Sequence, residues 1–223
     1  MADYGAIIDV NGNPFITPAS TPFCLYGKYT YQSSGNSAAH SVTQYIPIDS
    51  SYPVCAFLKT SNTEQGTAVI AYAIRSGANA GTLYVNGTNY SGQSFTLTVY
   101  VFAIFPQTLP AWGMAIWDAN GKLVLTNESR VLSDLETVPG SGYTLDYTYN
   151  GSYAVSPRAL GAVNVYQVQN GQQIIRSATA GVSCRFDGSR TRINAVPLIN
   201  GSAASGGTSN GGLVTAINTA AYD

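Results

Sequence analysis

Charged side chains are scarce in this sequence of 223 residues. Lys and Arg number 10, Asp and Glu number 11, and together they make up 9% of the chain, against about 25% in an ordinary soluble domain. No basic run is present, and nucleic-acid binding depends on clustered Lys and Arg that release counterions. Hydrophobic residues make up 45% and Tyr numbers 16, whereas disordered chains are poor in aromatics. We therefore expect a folded protein with an uncharged polar surface and no nucleic-acid partner.

Long apolar segments are also missing. No stretch approaches the roughly 20 residues of a membrane-spanning helix, and the first residues lack the basic and apolar regions of a secretory signal. The cysteines Cys24, Cys55 and Cys184 are odd in number and far apart, so neither a disulfide framework nor a zinc site is predicted. We expect buried free thiols in a protein made in a reducing cytoplasm, with no membrane span.

Residues that could carry catalysis are equally few. The single histidine, His40, has no nucleophile or metal ligand at a recognised spacing, and we predict that it lies in a surface loop. Asp134 and Glu136 stand two residues apart, but a glycosidase needs two carboxyls that face each other across a sugar. No phosphate-binding loop, dinucleotide motif, nucleophile elbow or calcium loop is present. The sequence favours a protein that is not an enzyme, and it indicates no cofactor and no metal.

Turn-forming pairs, in contrast, are abundant. Asn-Gly pairs begin at residues 11, 86, 120, 150, 170, 200 and 210, and Asp187-Gly188 adds another. Asn and Gly tolerate the positive φ of tight hairpin turns. Hairpins are predicted around residues 11–12, 120–121, 170–171 and 187–188, with further strands at 68–75, 82–85, 95–105 and 143–155. Helical turns are candidates at 130–138 and 212–221. The predicted fold is all-β, with antiparallel β-sandwich units joined by short turns and little helix.

A Pro-Gly-Ser-Gly stretch marks the predicted division of the chain. It lies within residues 138–142, between two patterned segments. We predict an N-terminal β-sandwich domain over residues 1–138 and a C-terminal β-rich domain over residues 139–223. The low-complexity segment 202–212 predicts a flexible Gly/Ser-rich tail in the second domain.

Aromatic residues are the candidates for an interface. Tyr26, Tyr29 and Tyr31 crowd one short strand-like segment. Tyr suits interfaces because it offers a large contact area at low entropic cost, but it also favours ordinary sheet packing, and both interpretations stay open. Trp112 and Trp117 bracket a predicted strand and are expected to anchor the core or its rim. The candidate interface residues are Tyr26, Tyr29, Tyr31, Tyr45, Trp112 and Trp117.

Two parts of the sequence carry a resemblance to a known family. The residues Asp3-Tyr4-Gly5, Ile8 and the runs 12–18 and 22–28 resemble the start of an uncharacterised family of virion proteins from lambda-like long-tailed phages of enteric bacteria. The segment 112–127 is similar to a hairpin found in proteins encoded beside tail-tip and tail-fibre genes of such phages. The family carries no catalytic motif, so no site residue follows from the resemblance.

The resemblance implies a structural virion component of a phage tail. Its place would be the distal tail tip or central tail fibre, where it would bind other phage tail proteins and form a homo-oligomer, expected to be a trimer. Adhesion to a bacterial surface receptor is a further expectation, in the unpatterned segments 32–43 or 201–212, because binding residues collect in loops on a rigid scaffold. Tyr29, Tyr31 and Tyr45 would lie at the base of the first segment.

A lectin-like carbohydrate-binding β-sandwich is the alternative function. A sugar site usually combines a stacking aromatic residue with Asp or Asn ligands in one loop. The segment from Trp117 to Asn120 is the only candidate for such a loop in the sequence, and hairpin turn chemistry explains it better.

Overall fold

The protein is built almost entirely from β-strands. A computed structural model describes residues 8–10, 13–16, 21–61, 68–75, 81–118 and 120–223. Within these ranges, helical structure is limited to two 3₁₀ turns, Gly142–Thr144 and Thr219–Ala221, and no helix is long and apolar enough to cross a membrane. The predicted all-β class with antiparallel sheets is confirmed.

Nineteen strands are present in the described ranges. In chain order they are β1 (Ile8–Val10), β2 (Asn13–Ile16), β3 (Cys24–Gln32), β4 (Ser34–Gly35), β5 (His40–Pro47), β6 (Val54–Ser61), β7 (Ile70–Arg75), β8 (Thr82–Asn89), β9 (Thr96–Ala103), β10 (Ala115–Trp117), β11 (Leu123–Thr126), β12 (Leu135–Thr137), β13 (Asp146–Asn150), β14 (Tyr153–Val155), β15 (Gly161–Gln169), β16 (Gln172–Phe186), β17 (Arg190–Pro197), β18 (Ser202–Ser209) and β19 (Thr215–Asn218).

The strands form one large sheet, one sheet of four strands and two separate hairpins, β1-β2 and β10-β11. The four-stranded sheet has the order β4-β5-β8-β7. The large sheet follows the path β12-β19-β14-β6-β16-β15-β18, with β9 and β3 joined at β6, and β17 and β13 joined at β16. Its pairings are antiparallel except for a short parallel contact between β6 and β16.

A first core lies between the four-stranded sheet and the β3-β9-β6 part of the large sheet. Side chains alternate between the two faces of a strand, and along β8 every second residue is buried, beginning with Leu83 and Val85. Each fully buried side chain of this size contributes roughly 1.5–3 kcal/mol relative to an exposed one. The buried members of this core are Val42, Ile46, Ile48, Ala56, Leu58, Val69, Leu83, Val85, Phe95, Leu97, Val99, Val101 and Ala103.

Two further clusters lie beyond the first core. A second core packs residues of β14, β16, β17 and β19 around Val182, Ile193 and Ala216. A third cluster, with Tyr100 and Phe102, covers the opposite face of β9 from the first core. All eight residues of β9 are therefore buried.

The predicted domain boundary at 138/139 stays a prediction. The first core draws its buried residues from positions 42–103, and the second from positions 138–216. The large sheet nevertheless runs across this point in the sequence, because β6 pairs with β14 and β16.

Hairpins predicted from turn chemistry are present at all four positions. Asn170 and Gly171, between β15 and β16, both have positive φ, at 53° and 75°, as a type I′ turn requires. Residues 11–12, which would form the first of these turns, lie outside the described residues. The pair at Asn86-Gly87 is different, because both residues lie inside β8. A Cβ on Gly87 would meet the Phe95 ring at 3.2 Å, so the glycine there serves close packing and forms no turn.

Five other expectations are corrected by the strands, among them the surface-loop position of His40. Residues 130–138 form no helical turn, because Val131 bridges to Cys24 and residues 135–137 form β12. Residues 212–221 form β19 before their single 3₁₀ turn. The segment predicted to be a flexible tail contains β18, which pairs with β15. The segment 32–43, predicted to be an unpatterned loop, holds a hairpin of β4 and β5, and half-buried His40 begins β5.

Candidate binding surfaces

Three of the predicted interface tyrosines serve sheet packing. Tyr26 meets Phe105 edge-on, with ring centroids 5.2 Å apart. Tyr29 and Tyr31 lie two residues apart on one face of β3, with near-parallel rings 6.4 Å apart. All three are half-buried against the first core, and burial raises the pKa of Tyr29 and Tyr31. Most of the ring surface of these three tyrosines therefore packs inside the protein and is not available to a partner.

The two tryptophans are exposed. Trp112 exposes 81% of its surface and Trp117 52%, and Leu109 and Met114, which lie nearby in the sequence, are exposed as well. Met114 lies opposite Asn127, whose side-chain oxygen accepts a hydrogen bond from the Met114 backbone at 3.1 Å. Neither tryptophan anchors a core, contrary to one of the two expected roles. We name Leu109, Trp112, Met114 and Trp117 the tryptophan surface.

The loop that the sequence offered as a sugar site is a turn. The Asp118 carboxylate accepts hydrogen bonds from the backbone N–H groups of Asn120 and Lys122, both at 2.9 Å. Such bonds are typical of an Asp that closes a turn on its own backbone. Asp118 is thereby engaged in local structure.

The cysteine thiols are unsuited to act as nucleophiles. Cys24, Cys55 and Cys184 are free thiols. Burial raises the pKa of Cys24 and Cys55 to about 11 and that of Cys184 to about 12, and the thiolate is the reactive form. Across the described part of the chain, no group of three or more His, Cys, Asp or Glu residues could hold a metal ion.

A polar cluster is built around Lys59 of β6, which is only 7% exposed. Its Nζ donates hydrogen bonds to Ser152 Oγ at 2.7 Å, Thr219 Oγ1 at 2.9 Å and Asp223 Oδ2 at 3.0 Å. All three donors of the ammonium group are thus satisfied, as a buried charge requires. This arrangement joins β6 to the residues before β14 and after β19.

The Asp223 carboxylate collects further donors. Lys28 Nζ lies 2.8 Å from Oδ1, and the hydroxyl of buried Tyr100 donates to the same oxygen. Burial alone would raise the pKa of Asp223, but the hydrogen bonds from Lys28, Tyr100, Lys59 and Thr219 outweigh it and hold this pKa well below its usual range. Burial lowers the pKa of Lys59 and raises that of Tyr100. With every group engaged, the cluster serves stability.

A row of tyrosines crosses the four-stranded sheet on the face that points away from the first core. Tyr45 of β5, Tyr84 of β8 and Tyr72 of β7 follow one another with ring centroids 5.2 and 5.9 Å apart. Tyr45 and Tyr84 are directly paired across the strands. Tyr45 is thus the predicted tyrosine that the structure leaves exposed, and its two neighbours were not predicted from the sequence.

A cavity of about 700 Å³ opens at the Tyr72 end of this row. One wall is the outer face of β7 and β8, and the other is formed by residues 157–159 and parts of β16 and the segment after β17. Its volume lies in the roughly 300–1,000 Å³ range of small-ligand sites. The polar and aromatic side chains around it are Tyr72, Asn86, Thr88, Tyr90 and Arg158.

Comparisons of the chain with models of protein families, with curated proteins and with solved structures gave no match. The tryptophan surface, the Lys59 cluster and the tyrosine-lined cavity are therefore interpreted from their own chemistry.

Proposed function

We propose that the protein is a structural component of a tailed-bacteriophage virion, located in the distal tail tip or central tail fibre. The resemblance of residues 3–28 and 112–127 to virion proteins of lambda-like phages supports this assignment, although residues 3–7 and most of 11–20 lie outside the described residues. The second segment forms the β10-β11 hairpin. In the tail, we propose that the protein binds other tail proteins during assembly and also adheres to the host surface.

The tryptophan surface is the observation that carries the assembly role. When a partner protein covers a large apolar side chain that is otherwise exposed to water, the free energy of the system falls, which favours binding. Trp is among the residues most enriched at the energetic centres of interfaces, which are depleted in charge. Trp112 is the most exposed of the large hydrophobic residues that the structure describes. We propose that another tail protein covers it in the particle.

Replacement of both tryptophans tests this contact. Phage carrying Trp112→Ser with Trp117→Ser should package the protein poorly, because loss of a binding hot spot costs about 2 kcal/mol or more, or roughly 30-fold in affinity. Stability of the isolated protein should change by only about 0.5 kcal/mol, since both residues are exposed. The measurement is quantitative mass spectrometry of purified virions.

Val168→Ser is the matched control, because Val168 is an exposed apolar residue on a different hairpin. Virions of this variant should contain the protein at the wild-type level. Absence of the wild-type protein from purified virions would reject the proposed function. Normal packaging of the double variant would reject the tryptophan surface as the contact.

We also propose that the protein assembles as a homotrimer, because tail tips and fibres follow closed cyclic symmetry. Sedimentation equilibrium of the purified protein should give about three times the chain mass of 23.4 kDa. A mass that stays at one chain up to the highest soluble concentration would contradict a trimer in solution.

A further inference from the structure

We propose that the tyrosine-lined cavity beside β7 is a carbohydrate-binding site that takes a hexopyranose unit of a bacterial surface glycan. The inference deepens the proposed function, on which the choice of a bacterial glycan rests. The binding chemistry itself rests on the geometry of the cavity.

The cavity combines aromatic rings with neutral hydrogen-bonding groups. Tyr72 and Tyr90 line it with aromatic rings, and Asn86 and Thr88 line it with an amide and a hydroxyl. A pyranose presents apolar C–H faces that pack on aromatic rings, and hydroxyls around its edge that need both donors and acceptors. Small-ligand sites are built this way, with mostly apolar walls and a few convergent polar groups.

The polar wall is held in place before any ligand arrives. Asn86 Nδ2 donates to Thr43 Oγ1 at 3.0 Å, and Asn86 Oδ1 accepts a hydrogen bond from Thr88 Oγ1 at 3.3 Å. These contacts fix the orientation of the Asn86 amide. Preorganised groups bind more tightly because less freedom is lost on binding.

The opposite wall keeps the cavity open and adds one cation. A Cβ on Gly181 would lie 3.1 Å from Leu198 and 3.6 Å from Ile70, so a larger residue would crowd the space between the two walls. Arg158 is held by a hydrogen bond from its guanidinium to the Leu213 carbonyl. No carboxylate lies among the described lining residues, and this arrangement suits hydroxyl-rich or acidic sugars over cationic ligands.

The tyrosine row extends the site beyond one sugar unit. From Tyr72 it continues through Tyr84 to exposed Tyr45. Rings that follow one another along a surface offer a platform for successive units of a linear polymer. A glycan chain fits this arrangement, with one unit in the cavity and its neighbours along the sheet.

Saturation-transfer NMR on the purified protein tests the site with two probes. One is the lipid-free oligosaccharide released from enteric lipopolysaccharide, and the other is the glycan strand of peptidoglycan without its peptides. We expect saturation to transfer from the protein to the sugar-ring protons of at least one probe. The Tyr90→Ala variant should bind that probe about tenfold or more weakly than the wild type. Arg158→Gln, at an exposed position, is a second variant that should also weaken binding.

Tyr147→Ala is the matched control, because Tyr147 and Tyr90 are both 37% exposed and Tyr147 lies outside the cavity lining. Its binding should equal that of the wild type. No transfer to either probe would overturn the site, as would losses as large in Tyr147→Ala as in Tyr90→Ala. Glycan binding by a protein that is missing from virions would reject the proposed function and leave the site standing.

Discussion

Replacement of Tyr222 by alanine should lower the free energy of unfolding by about 3–5 kcal/mol, the usual cost of removing a large buried aromatic side chain. Tyr222 is buried, and its ring meets Phe102 edge-on with centroids 4.9 Å apart. Its hydroxyl donates to the Val131 carbonyl at 3.0 Å and accepts from the Ser133 N–H at 2.9 Å. The alanine variant loses the packing and leaves both backbone groups without this partner.

The Tyr222→Phe variant separates packing from hydrogen bonding. It keeps the ring and should cost about 1–2 kcal/mol, in line with the loss of hydroxyl hydrogen bonds. Urea denaturation at neutral pH measures both variants, and the slope of the transition should match that of the wild type. Equal losses in the two variants would show that the ring contributes little.

Replacement of Asp223 by alanine should lower the free energy of unfolding by about 2–3 kcal/mol. The change leaves the buried Lys59 ammonium without its counter-charge, and breaking a fully buried ion pair costs about 3–5 kcal/mol. The expected loss is smaller because the Asp223 side chain is about one-third exposed, where water screens the interaction. Asp146→Ala is the control, since it breaks only the exposed pair with Arg192 and should cost about 0–1 kcal/mol.

The contribution of Asp223 should also depend on pH in a defined direction. Its pKa in the folded protein lies below the ordinary value of 3.8, so the unfolded chain takes up the proton first as pH falls. The stabilisation is therefore complete above the ordinary pKa and is lost as pH falls through the folded value. Denaturation at a series of pH values should show the difference between wild type and Asp223→Ala shrinking progressively as pH falls below about 5. A constant difference would contradict the ion pair as its source.

Local turn chemistry explains why the hairpins were predictable. The turn at Asn170-Gly171 is specified by two adjacent residues that accept positive φ, and no distant contact is needed to decide it. The same dipeptide at Asn86-Gly87 misleads, because what decides that position is the Phe95 ring lying over Gly87. A dipeptide carries no information about a side chain from another strand.

The candidate site was less accessible from the sequence. Lys59 directly follows the apolar run 54–58 of β6, which is a usable signal of a buried charge with a partner. That partner could not be identified from the sequence, because it lies far away along the chain. The cavity joins β7 and β8 to residues 157–159, which only the folded topology brings together. Trp112 was expected to anchor the core or its rim, but it is exposed. The alternation of residues in a sequence does not by itself distinguish a buried aromatic residue from an exposed one.

The position of β6 in the middle of the large sheet has a consequence for biosynthesis. The three hydrogen-bond partners of Lys59 are made 93, 160 and 164 residues after it, and β14 and β16 also follow β6 at long range. On the ribosome, β6 therefore keeps one unpaired edge until residues 155–186 have been translated. Open strand edges recruit strands from neighbouring molecules. Slow closure of the sheet is expected, and crowded nascent chains of this protein would be prone to exchange strands with one another before it is complete.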